Sequence, residues 1–437
     1  MARDYRLSIK QQKSSCRQGL LPDWRGRQAQ LERLGRALRS QEARCLAVLK
    51  RDLDLPETQA RAYEWEPVLE GVQDLGRRLP AFSRSHGQQG IGGAWGRLRG
   101  QEAAGECGRR PWGQVLVLGT AFSPLAQSLR PALEAVAAGN AVLLQVPLNC
   151  PATAEFLKGL LAEIFPAEQF SLICGGEDLS WTLVQEGPDF IYIQGTRALA
   201  QSLLQTAAEK LIPTAVRVEG RNPCILAAEL DCQQAAQAIL EAKLYNMGQS
   251  YYAPDHLIVH EASYAPFVEA LKKELRERWG VDPSQEAHYQ SIVAPEHFAR
   301  LLSALQSGRI VWGGRANRPE QKLELTLLTD IRPGEAILAA PVYGPILPVF
   351  RYRNFVALLQ ELERLPVSPV AYYYGRDRRE QQLFQEHSPA ATLVCNAERP
   401  LARLQQQVQT ACGAAGYGSW GGQEGLYLFS RPQVLVD

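Results

Sequence analysis

The chain has 437 residues, 46% hydrophobic and 21% charged, which gives the length for two or three domains and the composition of an ordinary globular protein with a large core. A net charge of +1 supplies no field to draw nucleic acid, and the arginines at 97, 99, 109 and 110 read as solvated surface. Nine widely spaced cysteines without a Cys-x-x-Cys pair argue against a disulfide framework or a zinc site and for reduced thiols in a cytoplasmic setting.

In chain order, leucines at 31, 34, 38, 46 and 49 predict an amphipathic helix over 24–54, and a second is expected over 57–82. The Gly-rich stretch 83–109 reads as loop. Strands alternating with helices follow: strands at 113–119, 141–147, 170–174 and 189–193, helices at 125–140, 151–164, 178–186 and 198–211. The alternation continues with strands at 214–218, 223–227, 256–260, 370–375 and 391–396 and helices at 232–246, 263–279 and 356–365, while 343–348 reads as irregular. Such a pattern predicts an α/β fold with doubly wound parallel sheets. No 18-residue apolar window occurs, so neither a signal peptide nor a membrane span is expected. His256 and His260 lie on a strand rather than a helix, and no metal site is expected.

Five segments in order, PALEAVAAGNAVLLQVP, LIPTAVRVEGRNPCIL, NMGQSYYAPD, YGPILPV and GAAGYGSWGG, resemble the aldehyde dehydrogenase superfamily, most closely its short class 3 branch. The resemblance implies two doubly wound α/β domains, nucleotide-binding and catalytic, with a small bridging element. It divides the chain into N-terminal helices to residue 83, a bridging segment 84–112, a nucleotide-binding-type domain 113–211, a catalytic-type domain 212–396 and a C-terminal bridging segment 397–437, the last containing a Gly-rich loop at 413–422. It also implies a homodimer or a hetero-oligomer with a paralogue or another protein.

In that family a cysteine thiolate attacks the aldehyde, a glutamate is the general base and an asparagine binds the oxyanion. Here Gly248, Gln249, Ala253, Pro254 and Asp255 keep the frame of the nucleophile loop, but Tyr251 stands at the cysteine position. A phenol of pKa about 10 is roughly 0.1% ionised at neutral pH, and a thiolate is the better nucleophile. Arg217 stands at the glutamate position and cannot accept a proton; Glu219, two residues on, would lie roughly 7 Å away along a strand. Phe122, with no donor, stands at the asparagine position. The cofactor positions are Gln145 for a ribose-binding lysine, Gly195 and Thr196 for the pyrophosphate turn, and Pro341 for a ribose-binding glutamate.

The backbone-shaping residues persist while the chemical ones differ, so the resemblance predicts a member that has lost NAD(P)-dependent aldehyde oxidation, has no bound cofactor and serves as a structural, regulatory or interaction subunit. Two alternatives stand beside it. One is an active NAD(P)-dependent oxidoreductase with a relocated nucleophile, for which Cys224, Cys395 and Cys412 are the candidates. The other is a nucleotide or small-molecule binding protein using Gly195, Thr196 and Gln145.

Overall fold

The computed structural model describes residues 4–85, 108–280 and 289–433. The Gly-rich loop expected within 83–109 lies mostly outside the described residues. The first predicted helix is two, Trp24–Ser40 and Glu42–Leu53, parted at Gln41, whose φ of −111° and ψ of 18° leave the helical region. Asp23 starts the first by accepting a hydrogen bond from the Gly26 amide at 2.8 Å. The buried stripe Leu31, Leu34 and Leu38 is the one its spacing requires.

The second predicted helix holds a π-helical turn, Ala60–Trp65, before the α-helix Glu66–Ser85. Tyr63, Glu64 and Trp65 are all buried. Successive side chains on an α-helix point about 100° apart, so three in a row cannot all face one core; widening the turn lets them. Glu64 thereby reaches inward as a carboxylate with four partners. One oxygen accepts from the hydroxyls of Tyr245, at 2.7 Å, and Ser123. The other accepts from the amides of Leu125 and Ala126, both at 3.0 Å, and so caps the helix Ala126–Ala137.

Eighteen strands follow in chain order among the described residues: β1 (Gly108–Pro111), β2 (Gln114–Leu118), β3 (Ala141–Pro147), β4 (Phe170–Gly175), β5 (Phe190–Gly195), β6 (Thr214–Val218), β7 (Pro223–Leu226), β8 (His256–His260), β9 (Arg309–Trp312), β10 (Ala316–Asn317), β11 (Lys322–Leu323), β12 (Thr326–Thr329), β13 (Ile346–Tyr352), β14 (Val370–Tyr374), β15 (Thr392–Cys395), β16 (Gln409–Ala411), β17 (Gly416–Trp420) and β18 (Ser430–Gln433). One seven-stranded sheet has the order β16-β17-β6-β5-β2-β3-β4, the other β15-β14-β7-β8-β13-β12-β9. β2 to β6 are mutually parallel. The winding runs from β2 outward to β4, then returns to β5 and β6 on the other side, so the switch point lies between β2 and β5.

Three expectations are corrected. The Gly-rich loop at 413–422 contains β17, which pairs antiparallel with β6 through Gly416 and Arg217; a Cβ on Gly416 would lie 2.0 Å from the Val216 carbonyl, so glycine here serves a close strand approach. The stretch 343–348 leads into β13, a central strand between β8 and β12, which two prolines had disguised as irregular. The sheets also do not divide at 212 and 397, because β6, β16 and β17 all belong to the first sheet. The helix Pro295–Ala304 and β9 to β12 carry no strong period and were not expected. No helix among the described residues is long and apolar enough to cross a membrane, and no cluster of metal-ligating side chains occurs among them.

The segment before β13 is pinned by His297, whose Nε2 lies 2.7 Å from the Tyr343 carbonyl and whose Nδ1 lies 3.2 Å from an Arg300 guanidinium nitrogen. A guanidinium only donates, so Nδ1 accepts and Nε2–H donates: the ring is neutral. Burial pulls its pKa down to about 4.

Two measurements follow. Glu64→Ala strands two buried amides and two hydroxyls, and urea unfolding is expected to show a loss of about 3 kcal/mol or more; an unchanged midpoint would contradict the capping role. His297 binds its proton less well folded than unfolded, so its stability contribution is present above pH 6.5 and is lost as pH falls toward 4, amounting to at most about 3 kcal/mol. The fall should be shallower in His297→Gln, and parallel curves for the two proteins would refute it.

Candidate active site

The C-terminal ends of β2 and β5 present two turns to the switch point. After β2 come Thr120 and Phe122. After β5, Gly195 has a φ of +150°, and Thr196 caps the helix Arg197–Glu209 by accepting from the Leu199 amide at 3.3 Å. The loop facing them leaves the helix Cys232–Leu244 through a left-handed run, Asn246, Met247 and Gly248 at φ of 46°, 51° and 74°. A Cβ on Gly248 would sit 2.5 Å from the Gly344 carbonyl, which locks this loop against the 343–345 segment. Asn246 Nδ2 donates to the Phe122 carbonyl at 2.9 Å. Asn222 Nδ2 donates to the carbonyls of Tyr251 and Ala253, and Lys243 Nζ donates to that of Pro254 at 2.9 Å. Burial lowers the Lys243 pKa to about 8, against the pull of Asp255.

The frame delivers Tyr251 to the switch point. Its ring is 6% exposed, and its hydroxyl has no hydrogen-bond partner that meets normal geometry among the described residues. Burial pushes its pKa up to about 12; Arg217, the Thr120 hydroxyl and the Gly195 backbone pull the other way. Arg217, on β6, holds its guanidinium carbon 4.3 Å from the Tyr251 ring centroid and 4.9 Å from those of Tyr252 and Trp420. Its Nη1 donates to the side-chain oxygens of Gln127 and, at 2.9 Å, Gln409. Phe122 joins this group through Tyr343, whose ring lies 4.8 Å from Phe122 and 5.7 Å from Tyr251.

The three positions singled out by the resemblance therefore meet, Tyr251 and Arg217 directly and Phe122 through Tyr343. Sequence reasoning missed Gln127, Gln409 and Glu64: each is a polar residue in an apolar or irregular stretch, and only the folded chain aims it inward. Glu219 accepts from the Arg197 amide at 3.4 Å and makes no ion pair with Arg217.

The proposed replacement thiols are not assembled with this group. Cys224 is fully buried in β7, Cys395 lies on the edge strand β15, and Cys412 Sγ sits 3.3 Å from the Ser368 carbonyl. Burial raises the pKa of each, which is the opposite of an activated nucleophile.

The nucleotide positions are uneven. Gln145 is spent on protein groups: Nε2 donates to the carbonyls of Gly175 and Gly176, and Oε1 accepts from Ser180. Beside it, a groove of about 1120 Å³ runs along β4 between the helices Pro151–Ala162 and Glu177–Gln185, with Ala154, Lys158, Ile173, Leu179 and Thr182 among its walls. A cleft of about 680 Å³ begins at Arg197, Gly220, Arg221 and Pro341 and continues over Ile258, Pro348, Phe350 and Leu362.

The sequence profile described as the aldehyde dehydrogenase family matches residues 15–435. A relative named 4,4'-diapolycopene-4,4'-dial dehydrogenase, from Cytobacillus firmus, is 28% identical over 94% of this chain and 89% of its own. The dog enzyme named aldehyde dehydrogenase, dimeric NADP-preferring, is 25% identical over 92% and 87%. The solved substrate-bound state of Staphylococcus aureus AldH superposes with a TM-score of 0.88 at 25% identity, covering 99% of this chain and 93% of that one.

These relatives correct the expectation of a silent subunit. Proteins that align along nearly the whole chain carry the names of dehydrogenases, so the three altered side chains do not by themselves argue for lost activity, and the reading carried forward is the oxidoreductase alternative. Matched over almost its full length in both sequence and fold, the chain belongs to the aldehyde dehydrogenase family.

Proposed function

We propose that the protein is an NAD(P)-linked oxidoreductase of aldehydes in which Tyr251 works as a proton donor rather than as a covalent nucleophile. The observation that carries this reading is the Tyr251–Arg217 stack at the switch point between β2 and β5, where doubly wound sheets take their ligands. A buried phenol is a poor nucleophile but stays protonated through the neutral range, and a cation over its ring stabilises the phenolate formed when the proton leaves.

The residues fit a dinucleotide in part. The groove along β4 suits an adenosine moiety, and Arg197 with the first turn of its helix suits a pyrophosphate. Gln145 offers the ribose little, and Pro341 offers it no hydrogen bond. The chemistry that a bound reduced nicotinamide supplies is hydride delivery to the carbonyl carbon. Tyr251 Oη donates its proton to the carbonyl oxygen as charge grows there. Arg217 holds the resulting phenolate until solvent returns a proton, so hydride and proton together convert the aldehyde to a primary alcohol. The apolar walls of the cleft, Ile258, Phe350, Leu362 and Val367, favour an aldehyde with an apolar body, in keeping with the polyene named in the C. firmus relative. A homodimer is part of this reading, supported by the word dimeric in the dog enzyme's name and by β15 standing at the edge of its sheet, paired on one side only among the described residues.

The test is NADH or NADPH oxidation by the purified protein with short and long aldehydes. Turnover in the ordinary range of about 1 to 10³ s⁻¹ is expected, Tyr251→Phe should lower kcat/KM by about 10² to 10⁴, and iodoacetamide should leave the rate unchanged. Wild-type activity in Tyr251→Phe, inactivation by iodoacetamide or no turnover with any aldehyde would overturn the proposal. Because burial holds the Tyr251 pKa at about 12, kcat/KM should also stay level across neutral pH; an inflection abolished in Tyr251→Phe would refute that assignment.

A further inference from the structure

Arg217 is 5% exposed, yet among the described residues no carboxylate is in contact with it. Its hydrogen bonds of normal geometry run from Nη1 to two neutral amide oxygens, and the Tyr252 hydroxyl lies beside it. The rings stacked on it are neutral: burial holds the Tyr251 phenol protonated, and Trp420 carries no charge. Buried charges in proteins are paired as a rule, because an isolated ion in a low-dielectric interior is costly. A positive charge without a partner at this depth therefore asks for an anion.

The space for one is adjacent. A cavity of about 20 Å³ is lined by Arg217, Tyr251, Tyr252 and Gln409, and closed by apolar neighbours such as Pro369, Val370 and Leu404. That volume admits about one water-sized occupant. The Tyr251 hydroxyl faces Thr120, Gly195 and Tyr343, which do not line the cavity, whereas the Tyr252 hydroxyl is buried beside Arg217 without a further hydrogen-bond partner of normal geometry among the described residues. The guanidinium, the Tyr252 phenol and the Gln409 amide nitrogen form a set of donors with one charge, and the lining residues include no acid. A neutral water could use these donors but would leave the charge standing.

We propose that this cavity is a binding site for a single halide-sized inorganic anion, held by Arg217 and by the Tyr252 hydroxyl. The site would make chloride a structural ligand that draws β6, β17 and the 246–255 loop together through one charge. The site shares Arg217 with the proposed reaction, but its test requires neither a cofactor nor an aldehyde, so the failure of one can be told from the failure of the other.

The experiment is thermal unfolding of the full chain in sodium chloride and sodium bromide, at ionic strength held constant with sodium gluconate, whose anion is too large for the cavity. A saturable rise in Tm with both halides is expected, since a ligand that binds only the folded state stabilises it by mass action. Saturable quenching of fluorescence by bromide, absent in Trp420→Phe, should accompany it. Arg217→Gln should abolish the rise; if that variant does not fold, Tyr252→Phe decides, with half-saturation expected to move up about tenfold. A Tm that responds alike to halide and gluconate, or rises without saturating, means the cavity holds water only and overturns the inference. Unchanged half-saturation in Tyr252→Phe overturns the assigned ligands.

Discussion

One buried charge sets the terms for the centre of this molecule. Arg217 comes from β6, and the groups that tolerate it come from four other places: Gln127 from the helix after β2, Tyr251 and Tyr252 from the loop before β8, Gln409 from β16 and Trp420 from β17. Guanidinium is weakly hydrated and stacks well on aromatic faces, which lysine would not do. The same contacts bind the two antiparallel strands at the C-terminal end of the chain to the parallel core of the first sheet. Removing the cation would leave the Gln127 oxygen and three ring faces without their partner, while the Gln409 oxygen would keep the Trp420 indole N–H.

Around this charge the family's backbone persists with a different chemistry inside it. The left-handed turn at Asn246–Gly248, the approach of Gly248 to Gly344 and the clamp of Asn222 on the Tyr251 loop depend on backbone groups, and they would position any side chain at 251 alike. A thiol there would be drawn toward its thiolate by Arg217, but Arg217 cannot accept a proton as a general base. A phenol there needs only a means of bearing charge once its proton has gone, and a stacked guanidinium is that means. The substitutions at 217 and 251 are thus physically consistent with each other, whereas either alone would be a defect. Phe122 completes the change by filling, through Tyr343, the side of the site where a hydrogen-bond donor would otherwise stand.

Much of this was legible in the sequence. Strong periodicity gave the parallel strands and their helices to within a few residues, because burial on both faces of a strand writes a continuous apolar run. Elements whose residues answer to a neighbour were not legible. β17 is glycine-rich because β6 passes too close for side chains, and the π turn at 60–65 is visible only through three consecutive inward residues. At the site, Tyr251, Arg217 and Phe122 could be picked out by position, but position said only what they were not. Their mutual contact and the absence, among the described residues, of an acid in contact with Arg217 arise from side chains far apart in the chain, and these support the proposal of an alternative acid over a picture of missing parts.

The most direct test of that account is the identity of the product. Reduced cofactor carrying deuterium at the transferable position would be incubated with the protein and an apolar aldehyde, and the product analysed by mass spectrometry. Proton donation by Tyr251 predicts a primary alcohol with one deuterium on its carbinol carbon. A carboxylic acid formed from aldehyde and oxidised cofactor, with an oxygen taken from water, would contradict it.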